Sequence, residues 1–160
     1  MAILTVQDLT LGYESHVVAK DLTFTVTSGD YLCIVGENGS GKTTLMKTLL
    51  RLKSPMSGTI RTGDGLEKDQ IGYLPQQTAV QKDFPASVRE VVLSGCQGRC
   101  GRRPFYNRSE KQLAEKSMER MGVAALARRC FRELSGGQRQ RIGIARALYN
   151  SPEVLILDEA

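Results

Sequence analysis

No apolar run in the 160-residue chain approaches the roughly 20 residues that a membrane-spanning helix needs. The longest clean stretches are Leu32 to Val35 and Val154 to Leu157. The first residues, Met1-Ala2-Ile3-Leu4-Thr5, show no basic segment leading into an apolar one, so no secretion signal is read there. These two absences predict a cytosolic protein that touches a membrane only through a partner. The four cysteines, Cys33, Cys96, Cys100 and Cys130, lack CxxC spacing and have no histidine nearby, which argues against a zinc site and predicts reduced thiols. A basic stripe is missing as well. Lys and Arg total 22 against 17 Asp and Glu, a net charge of +5, and the one dense cluster is Arg99, Arg102, Arg103 and Arg108. Such a charge suits an anionic ligand without calling for nucleic acid, and the cluster itself reads as a solvated loop or a polyanion site. What remains, 41% hydrophobic and 24% charged residues with no internal repeat, is the balance of one globular domain. A chain of this length buries roughly 68–70% of its unfolded surface, enough for a core without disulfides or structural metal.

Along the chain, Ile3 to Leu11 and Leu22 to Val26 alternate apolar with polar residues, as half-exposed antiparallel strands do. Tyr31 to Val35 reads as a third strand whose continuous Leu32-Cys33-Ile34-Val35 run predicts burial on both faces. From Gly41 to Leu52 the period becomes helical, with Leu45, Met46, Leu49 and Leu50 on one side. Gly58 to Thr62 and Ile71 to Leu74 are short strands around a polar turn. Ser87 to Leu93 is a short helix whose Ser87 and Glu90 have capping-box spacing. Gly95 to Asn107 reads as a loop. Ser109 to Met121 reads as a helix burying Leu113, Met118 and Met121, and Glu133 to Tyr149 as the strongest helix. Val154 to Leu157 is a buried strand. The order predicts an α/β domain with a helical insertion.

Gly36-Glu37-Asn38-Gly39-Ser40-Gly41-Lys42-Thr43 matches G-x-x-x-x-G-K-[ST] between a predicted strand and a predicted helix. Gly36, Gly39 and Gly41 permit backbone angles and close approach that a Cβ forbids, so successive N–H groups can face phosphate oxygens. The helix beginning near Gly41 adds its positive end. Lys42 supplies an ammonium for the β- and γ-phosphates, and the Thr43 hydroxyl is placed for Mg²⁺. The Val154 to Leu157 strand delivers Asp158 as a carboxylate for the same metal, and Glu159 follows as an acid able to polarise water for attack on the γ-phosphorus.

Leu134-Ser135-Gly136-Gly137-Gln138 opens a helix with Ser135 as N-cap and two glycines in its first turn, each weakening the helix by up to roughly 1 kcal/mol relative to alanine. Two explanations stand side by side. One is a flexible helix entry; the other is a second phosphate-binding surface that meets ATP held by another subunit in a head-to-tail pair.

With these residues in order, the sequence resembles the nucleotide-binding subunit of ABC transporters: a Walker A loop at Gly36 to Thr44, a signature at Leu134 to Gln138, and an acidic strand ending at Asp158-Glu159. The resemblance covers essentially the whole chain. It implies a P-loop NTPase fold of the ABC type, a mixed sheet with N-terminal antiparallel strands, occupying residues 1–160 as a single ATP-binding domain with a helical subdomain inserted at 83–133 that docks the transmembrane permease. It implies ATP and Mg²⁺ as cofactors, with Gly36, Glu37, Asn38, Gly39, Ser40, Gly41, Lys42, Thr43 and Thr44 around the nucleotide. Tyr13 resembles the aromatic that stacks on adenine. Gln76, in Tyr73-Leu74-Pro75-Gln76, resembles the glutamine that contacts metal and water and couples to the membrane partner. Ser135, Gly136, Gly137 and Gln138 would contact ATP in trans within a head-to-tail dimer, and Glu159 would promote hydrolysis. Thr43, Gln76 and Asp158 form the implied metal set, and the implied location is the inner face of the cell membrane.

The stretch from Asp83 to Gly95 is similar to its counterpart in zinc or manganese importers, and somewhat to that of iron–siderophore importers. The family pattern continues beyond the catalytic glutamate to a D-loop, a further strand and a switch histidine, and the one histidine here, His16, precedes the phosphate loop and matches no such motif. The expectation is therefore a truncated or degenerate chain whose final strands are missing, whose inner strand edges lack a partner and whose ATP turnover is weak or absent. Two alternatives accompany the transporter reading: a nucleotide-binding remnant without turnover, and a non-transport relative acting on nucleic acid or ribosomes. The short insertion and single copy speak against the second of these.

Overall fold

The computed structural model describes residues 2–63, 66, 70–75, 85–96, 103–150 and 152–158. The chain divides into two compact units, Met1–Lys68 and Asp69–Ala160.

In the first unit, β1 (Ala2–Tyr13) and β2 (His16–Thr27) form a long antiparallel hairpin, with Tyr13 opposite His16 at its closed end. The strand β3 (Ser57–Thr62) pairs antiparallel with the other edge of β1, giving the order β2-β1-β3. The apolar positions Leu4, Val6, Leu9 and Leu11 of β1 are almost fully buried. The alternation of β1 is interrupted between Val6 and Leu9, where the register shifts and Asp8 takes φ 48°. At that irregularity Gly58, φ +87°, brings β3 against β1 so closely that a Cβ would lie 2.4 Å from the Asp8 carbonyl oxygen. The helix α1 (Lys42–Leu49) buries Thr44, Leu45, Thr48 and Leu49, one face at helical spacing. Met46 and Leu50, expected on that face, are only half-buried.

In the second unit, β4 (Ile71–Leu74) and β5 (Val154–Leu157) pair in parallel, Ile71 opposite Val154 and Leu74 opposite Leu157. The helices α2 (Val88–Leu93), α3 (Arg108–Arg120) and α4 (Gly136–Ala147) surround a core that includes Val88, Val92, Met118, Phe131, Ile142 and Tyr149. All three begin with a complete capping box, Ser87 with Glu90, Asn107 with Glu110 and Ser135 with Gln138. Ser117 ties α3 to α4 by donating its hydroxyl to the Ala145 carbonyl at 2.5 Å. Where α4 crosses β4, a Cβ on Gly143 would stand 2.6 Å from Leu74 Cδ1, so the glycine sets how closely helix and strand pack.

Several expectations are corrected. Tyr31 to Val35 forms no strand, and its side chains are not buried: Tyr31 is 90% and Val35 88% exposed. An apolar run becomes a buried strand only when neighbours satisfy its backbone on both edges, and among the described residues no strand pairs with it. Leu113 is 37% exposed rather than buried, since α3 turns Ala114, Ser117 and Met118 inward. In β5 only Ile156 is buried, because the described strand has a partner on one edge alone. The strongest helix starts at Gly136, after a 3-10 turn at Phe131–Glu133. Cys33 and Cys130 are free, but Cys96 is held in a disulfide, contrary to the expectation of reduced thiols throughout. No helix among the described residues is long and apolar enough to cross a membrane.

Candidate nucleotide site

The loop from Gly36 to Gly41 is shaped by its glycines. Gly39 and Gly41 have φ +85° and +94°, in the left-handed region that favours glycine. A Cβ on Gly41 would also meet Val18 Cγ1 at 2.7 Å, and one on Gly36 would meet Ser40 Oγ at 2.5 Å. The Ser40 N–H donates to the Glu37 carbonyl at 3.1 Å and tightens the turn. Gly41 is the N-cap of α1, and no side chain caps that helix, unlike the three helices of the second unit. The N–H groups of its first turn, which have no partners within the helix, are thus left for an outside acceptor at the positive end of the helix dipole.

Lys42 folds back over this loop: its ammonium donates to the carbonyls of Gly36 at 2.5 Å and Glu37 at 2.7 Å. Residues 36–40 are all exposed, as is Thr43. The neighbouring Thr44 is buried and points elsewhere, its hydroxyl donating to the phenolic oxygen of Tyr13 at 3.4 Å. That hydrogen bond holds the Tyr13 phenol below the ordinary tyrosine range, with the charges of Lys47 and Lys53 acting in the same direction and burial opposing them. The ammonium of Lys53 lies 4.1 Å from the Tyr13 ring centroid, a cation–π contact. The first unit therefore gathers Tyr13, the glycine loop, Lys42, Thr43 and Thr44 at one end of α1. The Lys53 contact was not legible in the sequence, because nothing in the chain's periodicity links the residues after α1 to the end of the β1–β2 hairpin.

In the second unit, Asp158 follows directly on β5. Its N–H donates to the Leu74 carbonyl at 2.9 Å, and its Oδ2 accepts from the Tyr73 hydroxyl at 3.2 Å. Burial, reinforced by the Asp158 carboxylate, pushes the Tyr73 phenol up from its ordinary value. Tyr73 was not singled out from sequence, although its place one residue before Leu74 at the end of a parallel strand was the available signal. Ser135 Oγ accepts from the Gln138 N–H at 3.3 Å, while the Gln138 side chain accepts from the Ser135 N–H at 3.0 Å. Gly136 and Gly137 are exposed, have no positive φ, and a Cβ on either would meet nothing within 4 Å. Gln76 and Glu159, and with them Asp83, Phe84, Arg99, Cys100 and Arg102, lie outside the described residues.

Each unit taken by itself offers an oxygen donor of the kind Mg²⁺ accepts, the Thr43 hydroxyl in the first and the Asp158 carboxylate in the second, and this hard ion keeps phosphate oxygens and water among its ligands. Among the described residues no group of three or more His, Cys, Asp and Glu is placed to hold a metal ion.

The chain is 38% identical over 163 residues to the manganese transport system ATP-binding protein MntB of Halalkalibacterium halodurans, matching 98% of this chain and 64% of that protein. It is 37% identical over 162 residues to the chelated iron transport system membrane protein YfeB of Yersinia pestis, matching 98% of this chain and 55% of that protein. The chain thus spans between about half and two thirds of the length of these curated relatives. Among solved structures, a chain assigned to the metal-chelate type of ABC transporter, in an inward-facing conformation, superposes with a TM-score of 0.86 at 33% identity, over 99% of this chain and 60% of that one. Residues 19–160 match the ABC transporter family, and the chain belongs to it.

Proposed function

We propose that this chain is the ATP-binding part of a subunit that hydrolyses ATP to power a transporter importing a metal ion. The observation that carries the reading is the Lys42 ammonium folded over a glycine loop at the uncapped start of α1. Two relatives named for manganese and chelated-iron transport support the cargo class.

Lys42 and the N–H groups of Gly36 to Thr44 bind the β- and γ-phosphates, and Tyr13 meets the adenine. Thr43, Asp158 and Gln76 hold Mg²⁺, which when bound neutralises phosphate charge and fixes the phosphate oxygens. Glu159 polarises the attacking water. Residues 1–160 act as one ATP-binding domain, and residues 83–133 form the helical subdomain that docks a transmembrane permease on the inner face of the membrane.

Ser135, Gly136, Gly137 and Gln138 reach the nucleotide of a second subunit in a head-to-tail dimer. The capping box supports this over a frayed helix entry. The capping box fixes the Ser135 and Gln138 N–H groups, while Gly136 and Gly137, which neither packing nor backbone angle requires, leave the first two helical positions uncovered by side chains.

Uptake of radioactive manganese, zinc and iron by cells lacking the gene tests the function. Uptake of at least one of these metals should fall several-fold and return with the wild-type gene but not with Lys42→Ala. Unchanged uptake of all three, or full rescue by Lys42→Ala, overturns the reading.

A further inference from the structure

Asp158 is held from two sides by the strand beside it. The parallel register sets Tyr73 opposite Ile156 and Leu74 opposite Leu157, so the residue after β5 falls level with the end of β4. The Leu74 carbonyl accepts the Asp158 N–H at 2.9 Å, which fixes where the backbone of Asp158 ends the ladder. The Tyr73 hydroxyl donates to Asp158 Oδ2 at 3.2 Å. An aspartate at a strand end otherwise keeps two side-chain torsions free, and a phenol anchored on a paired strand removes much of that freedom. Among the described residues no other side chain donates to this carboxylate, and its second oxygen has no partner among them.

We propose that Tyr73 is a positioning residue for Asp158, its hydroxyl occupying one carboxylate oxygen so that the other is presented to the metal of Mg·ATP. The proposal rests on the reading of Asp158 as a metal ligand given above. Groups that orient a metal-binding carboxylate affect metal affinity without touching the metal. A tyrosine that merely filled space would leave metal dependence unaltered on loss of its hydroxyl.

The test is titration of a fluorescent ATP analogue into the full chain, with Mg²⁺ and with EDTA, for wild type, Tyr73→Phe, Asp158→Asn and the double variant. Wild type should bind more tightly with Mg²⁺. Tyr73→Phe should lose about tenfold of that gain while keeping its metal-free affinity, and the double variant should be no weaker than Asp158→Asn. Replacing Mg²⁺ by Mn²⁺ and recording its electron paramagnetic resonance spectrum adds a readout of the metal itself, in which Tyr73→Phe should alter the bound signal. Circular dichroism checks the fold of each variant. Should Tyr73→Phe not fold, Tyr73→His, which keeps a ring and a donor, should retain the gain, and its loss there counts against the proposal. A Tyr73→Phe chain with the full Mg²⁺ gain, or with equal losses with and without metal, overturns the positioning role. A wild-type chain that binds no ATP overturns instead the nucleotide reading on which it rests.

Discussion

Lys42 donates to the Gly36 carbonyl at 2.5 Å, bridging the two ends of the glycine loop. A flexible ammonium held by backbone carbonyls can exchange them for phosphate oxygens, which are the stronger acceptors because they carry charge. The lysine thus keeps the loop closed on itself and is the group a phosphate must recruit. The same residue links the sequence pattern, the local fold and the chemistry of the site.

Replacing Gly41 by alanine should destabilise the first unit more than the same change at Gly39. Both sites require left-handed backbone, costing an alanine about 1–2 kcal/mol, but only Gly41 also sets a Cβ 2.7 Å from Val18 Cγ1. Urea unfolding of the two variants measures the difference. Equal midpoints would mean that Val18 moves aside freely.

Gly137→Ala should have the opposite sign. The position is helical, exposed and empty around a notional Cβ, so alanine should raise stability by about 0.5–1 kcal/mol while weakening ATP-driven pairing of two chains. Thermal unfolding and sedimentation with ATP test the two halves of this expectation. A variant that is stabilised and pairs normally would leave those glycines without the proposed role.

Met118→Ala should cost about 2–5 kcal/mol, because Met118 is fully buried in the helical core, whereas Leu113→Ala on the same helix should cost less than about 1 kcal/mol at a side chain 37% exposed. Chemical denaturation followed by the helical signal separates them.

Stability of the second unit should fall on acidification. Glu90 is held below its ordinary value of 4.5 by the Ser87 hydroxyl and N–H, and Glu110 likewise by the Asn107 N–H and then by Arg103. A carboxylate depressed in the folded state stabilises it above the unfolded value. That contribution is lost as pH falls through the folded value. Melting temperatures should therefore drop below about pH 4.5, and Glu90→Gln with Glu110→Gln should flatten that part of the profile. Glu90 is exposed and Glu110 half-buried at the protein surface, so the effect is modest and weakens with salt.

Local signals explain what the sequence revealed and what it hid. The Ser87–Glu90 box, the Ser135 cap and the glycine loop were legible because each is made by residues within a few positions of one another. Alternation found β1, but the start of β2, His16-Val17-Val18-Ala19-Lys20-Asp21, groups its apolar residues instead of alternating them and so concealed that the strand runs back to the hairpin turn. The Leu32 to Val35 run misled, since hydrophobicity records what a segment would bury and not whether a paired strand stands beside it. The Tyr73–Asp158 hydrogen bond and the Lys53–Tyr13 contact join residues far apart in the chain. They follow from strand register and from where α1 ends, neither of which a linear pattern encodes.

Calorimetric titration of the chain and its Lys42→Ala variant with Mg·ATP and with adenosine tests the central claim that the Gly36 to Thr44 loop holds nucleotide phosphates. ATP should bind far more tightly than adenosine, and Lys42→Ala should lose about 1.5–3 kcal/mol of that binding, at least tenfold in affinity, with adenosine unaffected. Equal affinity for ATP and adenosine, or a Lys42→Ala chain that binds ATP as the wild type does, would contradict the account.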